Sequence, residues 1–331
     1  MADSPLISVV IPTHNRAAII ARALDSVVRQ SHRPIEIIVV DDASTDGTLR
    51  AIDGETWPVP LTVVALGQNQ GAAAARNHGI AMASGDFVAF LDSDDEWQPD
   101  KLALQLAALT ESGLEYGASY TGIASYGEDG ILCALSRATA EGDLRLALLN
   151  HNLVGSTSCL LARRALLQQI GGFDASLRSC QDWDLWIRLA NHTRFACVAE
   201  PLTLLHIARE GRISSNGKAR LSGHLQLYRT HLRAAFKGGQ VDSALFRTIL
   251  GEIFMQLERP DHAARQFAAI WRAKPWSAKR LLLLALARFG VGKARYFRAA
   301  AWVDRLEAKL RPSPIAPPPV LALLDPPGQA R

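Results

Sequence analysis

The sequence predicts an α/β fold, a mainly parallel sheet flanked by helices, followed by a helical C-terminal region. Three observations carry this. Short β-branched runs alternate with helical periodicity through the first hundred residues. Two of those runs end directly in acidic clusters, at the strand ends where parallel sheets bind ligands. From about Leu221 the strand signals thin out and helical spacing takes over.

Ile7 to Ile11 reads as a buried strand ended by Pro12. Thr13 and Asn15 can cap the helix that follows, where Ala17, Ile20, Ala21, Leu24, Val27 and Val28 recur at helical spacing. Ile35 to Val40 is a second strand, running into Asp41 and Asp42. Leu61 to Ala65 is a third, ending near Gly67. Gly71 opens an Ala-rich helix that stops around Ser84-Gly85, and Phe87 to Leu91 is a fourth strand. Residues 100–200 are mixed, with a turn at Gly171-Gly172-Phe173. Three regions are expected: 1–222, a basic helical extension over 223–310, and a Pro-rich, disordered or extended tail over 311–331. Ala263-x3-Phe267 followed by Pro275 fits half a tetratricopeptide unit, too little for an array.

The 331 residues, 48% hydrophobic, suffice for a sizeable core and exclude disorder or collagen-like repetition for the bulk of the chain. Four cysteines without a CxxC pair give neither a zinc site nor a disulfide framework, which points to a reducing compartment. The N-terminus lacks the basic region of a signal peptide, and the longest apolar run, Leu281 to Ala287, is too short to span a bilayer. A cytoplasmic location is therefore expected, or a peripheral one at the inner membrane face. Residues 1–200 hold 14 Lys and Arg against 24 Asp and Glu, whereas residues 201–331 hold 22 against 8. An acidic front half argues against a nucleic-acid grip there and suits carboxylates gathered around a cation. No nucleic-acid partner is expected, whereas the basic rear half can face an anionic surface.

Four segments carry chemistry. In Val39 to Thr48, a strand delivers Asp41 and Asp42 to a polar loop, where carboxylates can accept hydrogen bonds from a base or a ribose; the alternative is a capped turn. In Phe90 to Leu102, Asp92-Ser93-Asp94 places two carboxylates at a strand end, and on an extended backbone both can face one cation. Hard oxygen ligands suit Mg2+ or Mn2+ carried in by a diphosphate, and a cation would relieve the repulsion among four acids from Asp92 to Glu96. In Asn69 to Gly79, Gly71 permits close backbone approach at a helix start that attracts phosphate, and Arg76 adds a forked donor; the alternative is an ordinary capped Ala-rich helix. In Ser179 to Arg188, Trp183 and Trp186 are either core or a sugar platform, and Asp182 is either a cleft-facing acid or a helix-start charge. His206, near Arg209 and Arg212, is a surface-loop residue or a phosphate contact. Ser156 and Ser158 sit in no GxSxG elbow, so hydrolase chemistry is unsupported.

The order VVIPTHNR, EIIVVDDASTDGT, NQGAAAARNHG, FLDSDDEW, GGFD and QDWDLWIRL resembles the family 2 glycosyltransferases, nucleotide-sugar-dependent enzymes of the GT-A fold, over roughly Pro5 to Ser215. The resemblance implies that Thr13, with its neighbours Asn15 and Arg16, lines the nucleotide pocket. It implies that Asp42 binds the base with Asp41 beside it, and that Asn69, Gly71, Arg76, Asp92 and Ser93 complete the nucleotide site. Asp92 and Asp94 match the family's Asp-x-Asp, whose later acid coordinates the divalent metal. Asp182 matches the proposed catalytic base of the Glu-Asp motif, although Gln181 here replaces the Glu. The implied reaction is an inverting transfer from a nucleotide-diphosphate sugar to a hydroxyl of a glycan or lipid-linked acceptor. Trp183, Ser156 and Thr157 are the acceptor-side candidates.

Two other readings differ in class. One is a degenerate transferase that binds without turnover, which only Gln181 favours. The other makes the rear half a docking module: across 288–311, Lys293, Arg295, Arg298, Arg305, Lys309 and Arg311 alternate with Tyr296, Phe297 and Trp302. That pattern fits an interfacial helix on anionic lipid or an ordinary solvated helix.

Overall fold

A computed structural model describes residues 4–207 and 216–273, together with 284–288, 292, 296, 298 and 299. Most of the basic 288–311 stretch, all of the Pro-rich tail, and Arg209 and Arg212 lie outside the described residues. Two compact units divide the chain, 1–253 and 254–331.

In the first unit the order begins β1 (Ile7–Thr13), α1 (Ile20–Val28), β2 (Ile35–Asp41), α2 (Thr48–Asp53), β3 (Leu61–Ala65), α3 (Ala72–Met82) and β4 (Phe87–Phe90). It continues through β5 (Asp95–Trp97), α4 (Lys101–Ser112), β6 (Tyr116–Tyr126), β7 (Leu132–Ser136), α5 (Arg145–Asn150), β8 (Leu161–Arg163) and α6 (Arg164–Gln169). Then come α7 (Gln181–Ala190), β9 (Arg194–His206), α8 (Gly217–Leu227) and α9 (Arg233–Lys237), the last two joined by a π-helical turn. Helix α10 (Ala244–Gln256) runs to the unit boundary, and α11 (Pro260–Ala273) belongs to the second unit.

One nine-stranded sheet has the order β3-β2-β1-β4-β8-β6-β9-β5, with β7 added to β6. The β3-β2-β1-β4 half is parallel, as the β-α-β alternation predicts. The other half is mixed: β8 runs antiparallel to β4 and β6, β9 parallel to β6, and β5 antiparallel to β9. None of that mixed half was read from sequence. Strand β1 continues through Pro12 to Thr13 rather than stopping. The odd residues of β1 bond towards β2, and Pro12 alternates to the β4 side, where β4 has already ended. No ladder donor is missed there.

Core residues follow the apolar runs. Ile7, Val9, Ile11, Ile37 and Val39 are buried beneath Ile20, Leu24 and Val27 of α1. Each such side chain contributes roughly 1.5–3 kcal/mol of burial free energy. On the other face α3 lies so close to β1 that a Cβ at Gly79 would stand 2.2 Å from Val10 Cγ1. This contact fixes the height of Arg76 above the sheet end. Helix α1 starts at Ile20 without a side-chain cap, so Thr13 and Asn15 do not cap it. They serve the loops instead.

Candidate active site

The site lies where β1, β2 and β4 end, and it starts with two loops zipped together. Asn15 N–H donates to Ser44 Oγ at 2.8 Å, and Asn15 Oδ1 accepts from Thr45 N–H at 2.8 Å. Arg16 N–H donates to Thr48 Oγ1, and Ala17 N–H to Asp46 Oδ2. Asn15, Ala43 and Cys180 hold left-handed backbone, with φ of 53°, 59° and 62°. Such non-glycine strain, of order 1–3 kcal/mol each, gathers where surrounding structure over-determines a site.

Asp41 and Asp42 divide their work. Asp42 Oδ1 accepts from Gln70 N–H at 2.6 Å and Oδ2 from Gly71 N–H at 2.8 Å. His14 Nδ1 and Asn69 Nδ2 donate to the Asp42 carbonyl. The backbone N–H groups of Gln70 and Gly71, just before α3, thus hold the Asp42 carboxylate. Asp41 accepts from Ser44 N–H through Oδ2, while its Oδ1 is a buried acceptor without a hydrogen-bond partner. Thr13, paired with Asp41 in the β1–β2 register, has an equally orphaned Oγ1. Two orphaned polar atoms side by side at strand ends mark a place built for a ligand.

The acids after β4 sit differently from the extended arrangement expected of them. The strand ends at Phe90, and Asp92 to Asp95 form a tight turn in which Asp95 N–H donates to the Asp92 carbonyl at 2.9 Å. The two carboxylates have different partners. Asp92 Oδ1 accepts from Arg76 at 2.5 Å and Oδ2 from Thr157 Oγ1 at 3.1 Å. Asp94 faces Arg16 at 3.8 Å and is about a quarter exposed, at 26%. Glu96 is held by Arg29 and His206, and its hydrogen bond with His206 keeps it below the usual carboxylate range. Arg16, Arg76, Arg29 and His206 each offset part of the negative charge of this cluster. Ser93 is buried in the same turn.

Among the described residues no group of three His, Cys, Asp or Glu side chains could hold a metal ion. The chemistry fits a divalent cation all the same: Asp94 offers a hard carboxylate, and Mg2+ or Mn2+ sites commonly take one or two carboxylates and complete their shell with substrate phosphates. Asp92 has one hydrogen-bond partner on each oxygen, Arg76 and Thr157.

The loop after α5 is welded to this turn. Ser158 Oγ donates to Asp95 Oδ2 at 2.6 Å and accepts from Asp92 N–H, while Ser156 Oγ accepts from Ser158 N–H. Ser156 and Thr157 thus act as structural links, which their place beside the acids in space, not in sequence, brings about.

Helix α7 supplies Asp182. Burial raises its pKa above the usual aspartate value, partly offset by the Trp183 backbone N–H, the Asn152 side chain and the charge of Arg76. Asn152 Nδ2 donates to Asp182 Oδ2 at 2.9 Å and to the Gly155 carbonyl, and its Oδ1 accepts from Gly155 N–H. Asn152 is a site residue that sequence reading missed. Arg76 also donates weakly to Gln181 Oε1 at 3.4 Å, while Gln181 Nε2 donates to the Leu177 carbonyl. Phe173 stacks beneath Arg76 at 5.3 Å; Asn77 pins Phe173 through two backbone bonds of 2.8 Å, and Gly172 has no room for a Cβ beside Asn77. Trp183 is only 3% exposed, donates to the Leu148 carbonyl and packs on His224 and Phe246. Its ring is part of the core.

A model of glycosyl transferase family 2 matches residues 8–171. The putative teichuronic acid biosynthesis glycosyltransferase TuaG of Bacillus subtilis is 35% identical over 187 residues, 56% of this chain and 72% of that protein. The putative colanic acid biosynthesis glycosyl transferase WcaA of Escherichia coli is 31% identical over 238 residues, 70% of this chain and 83% of that one. Among solved structures, S. aureus TarS 1-349 in complex with UDP-GlcNAc superposes with a TM-score of 0.56 at 20% identity, covering 91% of this chain and 92% of that chain. The mannosyltransferase PcManGT from Pyrobaculum calidifontis, in complex with GDP-Man and Mn2+, gives 0.55 at 23% identity, covering 91% and 87%. The chain belongs to glycosyl transferase family 2 and has the GT-A fold.

Proposed function

We propose that this glycosyltransferase moves a sugar from a nucleotide-diphosphate donor to an acceptor hydroxyl with inversion at the anomeric carbon, in the assembly of a cell-surface polysaccharide or glycolipid. The observation that carries this reading is Asp182, a carboxylate made more basic by burial and oriented by Asn152 beside the Arg76 brace. The relatives' names, teichuronic and colanic acid biosynthesis, support a polysaccharide product. The UDP-GlcNAc and GDP-Man complexes of the structural neighbours support a sugar-nucleotide donor.

In this reading Asp41 Oδ1 accepts from the N–H of the base, with Thr13 beside it. Arg76 and Asp92 hold the turn that presents Asp94. Asp94 would hold a divalent cation, Mg2+ or Mn2+, which when bound neutralises charge on the departing diphosphate. Asp182 takes the proton of the acceptor hydroxyl as its oxygen attacks the anomeric carbon, and the bond to the diphosphate breaks on the opposite face. One displacement inverts the centre, and no second carboxylate is required. The acceptor is a glycan or lipid-linked hydroxyl, met on the cytoplasmic side of a membrane; none of the described helices is long and apolar enough to cross one. Incubation with a panel of UDP-, GDP- and dTDP-sugars, with the product anomer read by NMR, tests the reading. An inverted product supports it, and a retained configuration overturns the single-displacement mechanism.

A further inference from the structure

The C-terminal unit, residues 254–331, holds 14 Lys and Arg against 5 Asp and Glu. Within it α11 is two-faced: Ala263, Phe267 and Ile270 are buried, while Asp261, Arg265 and Arg272 are exposed. Phe267 stacks on the buried Tyr296, with ring centroids 6.2 Å apart, which fixes α11 against the segment that follows it. Along its other side lies a cleft of about 440 Å³, lined by Asp261, Arg265 and Arg272 from α11 and by Leu284 and Arg288 from the facing segment. Ala264 and Ala268, between the arginines, leave the space open because their side chains are short.

Many arginines of the first unit are engaged, among them Arg16, Arg22, Arg29, Arg76 and Arg188. Among the described residues, none forms a hydrogen bond or ion pair with the guanidinium groups of Arg265, Arg272 and Arg288. Three arginines against the single carboxylate of Asp261 leave the concavity net positive, and an oxyanion entering it offsets that charge while accepting forked hydrogen bonds. The volume matches sites for small ligands or single headgroups rather than a helix or a duplex.

We propose that this cleft binds a phosphate group, a second anion site separate from the one at the sheet end. The phosphate is borne either by a soluble phosphoester or by an anionic lipid headgroup, and the recognising chemistry is the same. The site is independent of the transfer reaction, so its test reads binding alone. The full chain is titrated with glycerol 3-phosphate and, separately, sedimented with phosphatidylcholine vesicles with and without phosphatidylglycerol. The same is done for the Arg265→Gln/Arg272→Gln/Arg288→Gln variant and for Arg272→Glu alone, with thermal melting as a check that each is folded. Binding that falls at least tenfold in both variants supports the site. Binding of the soluble phosphoester assigns a solute, and binding only to phosphatidylglycerol vesicles assigns a headgroup. No binding to either probe by the native chain, or undiminished binding by the folded variants, overturns it.

Discussion

Arg76 lies 2.5 Å from the Asp92 carboxylate, with its own side chain almost wholly buried. That pair joins α3 to the turn after β4, and through Gln181 it touches the start of α7. Removing Arg76 leaves a half-buried carboxylate without its cation. We expect Arg76→Ala to cost on the order of 2–4 kcal/mol of stability, read by urea denaturation. Asp92→Asn, which keeps an acceptor for Arg76, costs less, and the double variant shows coupling between the two positions.

Asp182 is placed where burial favours its protonated form. A raised folded-state pKa means that folding is penalised as pH rises above the ordinary aspartate value and the group is forced to ionise. Asp182→Asn therefore melts higher than the native chain at neutral pH while losing roughly 10²–10⁴-fold in turnover. Retained nucleotide binding by that variant separates chemistry from donor binding.

The hydrogen bond from Asn152 opposes that upward shift. Asn152→Ala removes it, so the acid limb of the kcat profile moves to higher pH. It also frees Gly155, whose carbonyl and N–H both bond to Asn152. A profile that falls in height without moving assigns Asn152 to loop structure alone.

Lys101 is fully buried, with Nζ donating to Gln105 Oε1 at 2.7 Å and lying 4.0 Å from the Trp97 ring centroid. Burial lowers its pKa to about 7. Between that value and the ordinary lysine range the unfolded chain binds the extra proton, so native stability rises with pH across this window. Lys101→Met flattens that rise, by on the order of a few kcal/mol, in a series of melting curves from pH 7 to 10.

The parallel half of the fold was legible because β1, β2 and β4 are apolar runs with sharp ends, and the acids mark those ends. The antiparallel partners were not, since β8 has three residues and β6 carries Gly117 and Gly122 among polar neighbours. Asp94 and Asp182 were singled out by motif. Asn152 was not, because a single Asn in a polar loop has no spacing signal and its partner is 30 residues away. Beyond Phe90 the chain leaves the ladder and turns, so strand alternation does not describe Asp92 and Asp94. Trp183 stayed ambiguous until Phe246 and His224 covered it, contacts that no local pattern encodes.

The most direct test of the account is calorimetric titration with UDP, GDP and dTDP, each with and without Mn2+, on the native chain, Asp41→Asn and Asp94→Ala. We expect one nucleotide to bind more tightly with Mn2+. Asp94→Ala should abolish that Mn2+ gain, and Asp41→Asn should weaken binding whether or not the metal is present. No binding of any of the three, or binding that neither variant alters, would contradict the assignment of these carboxylates to a sugar-nucleotide site.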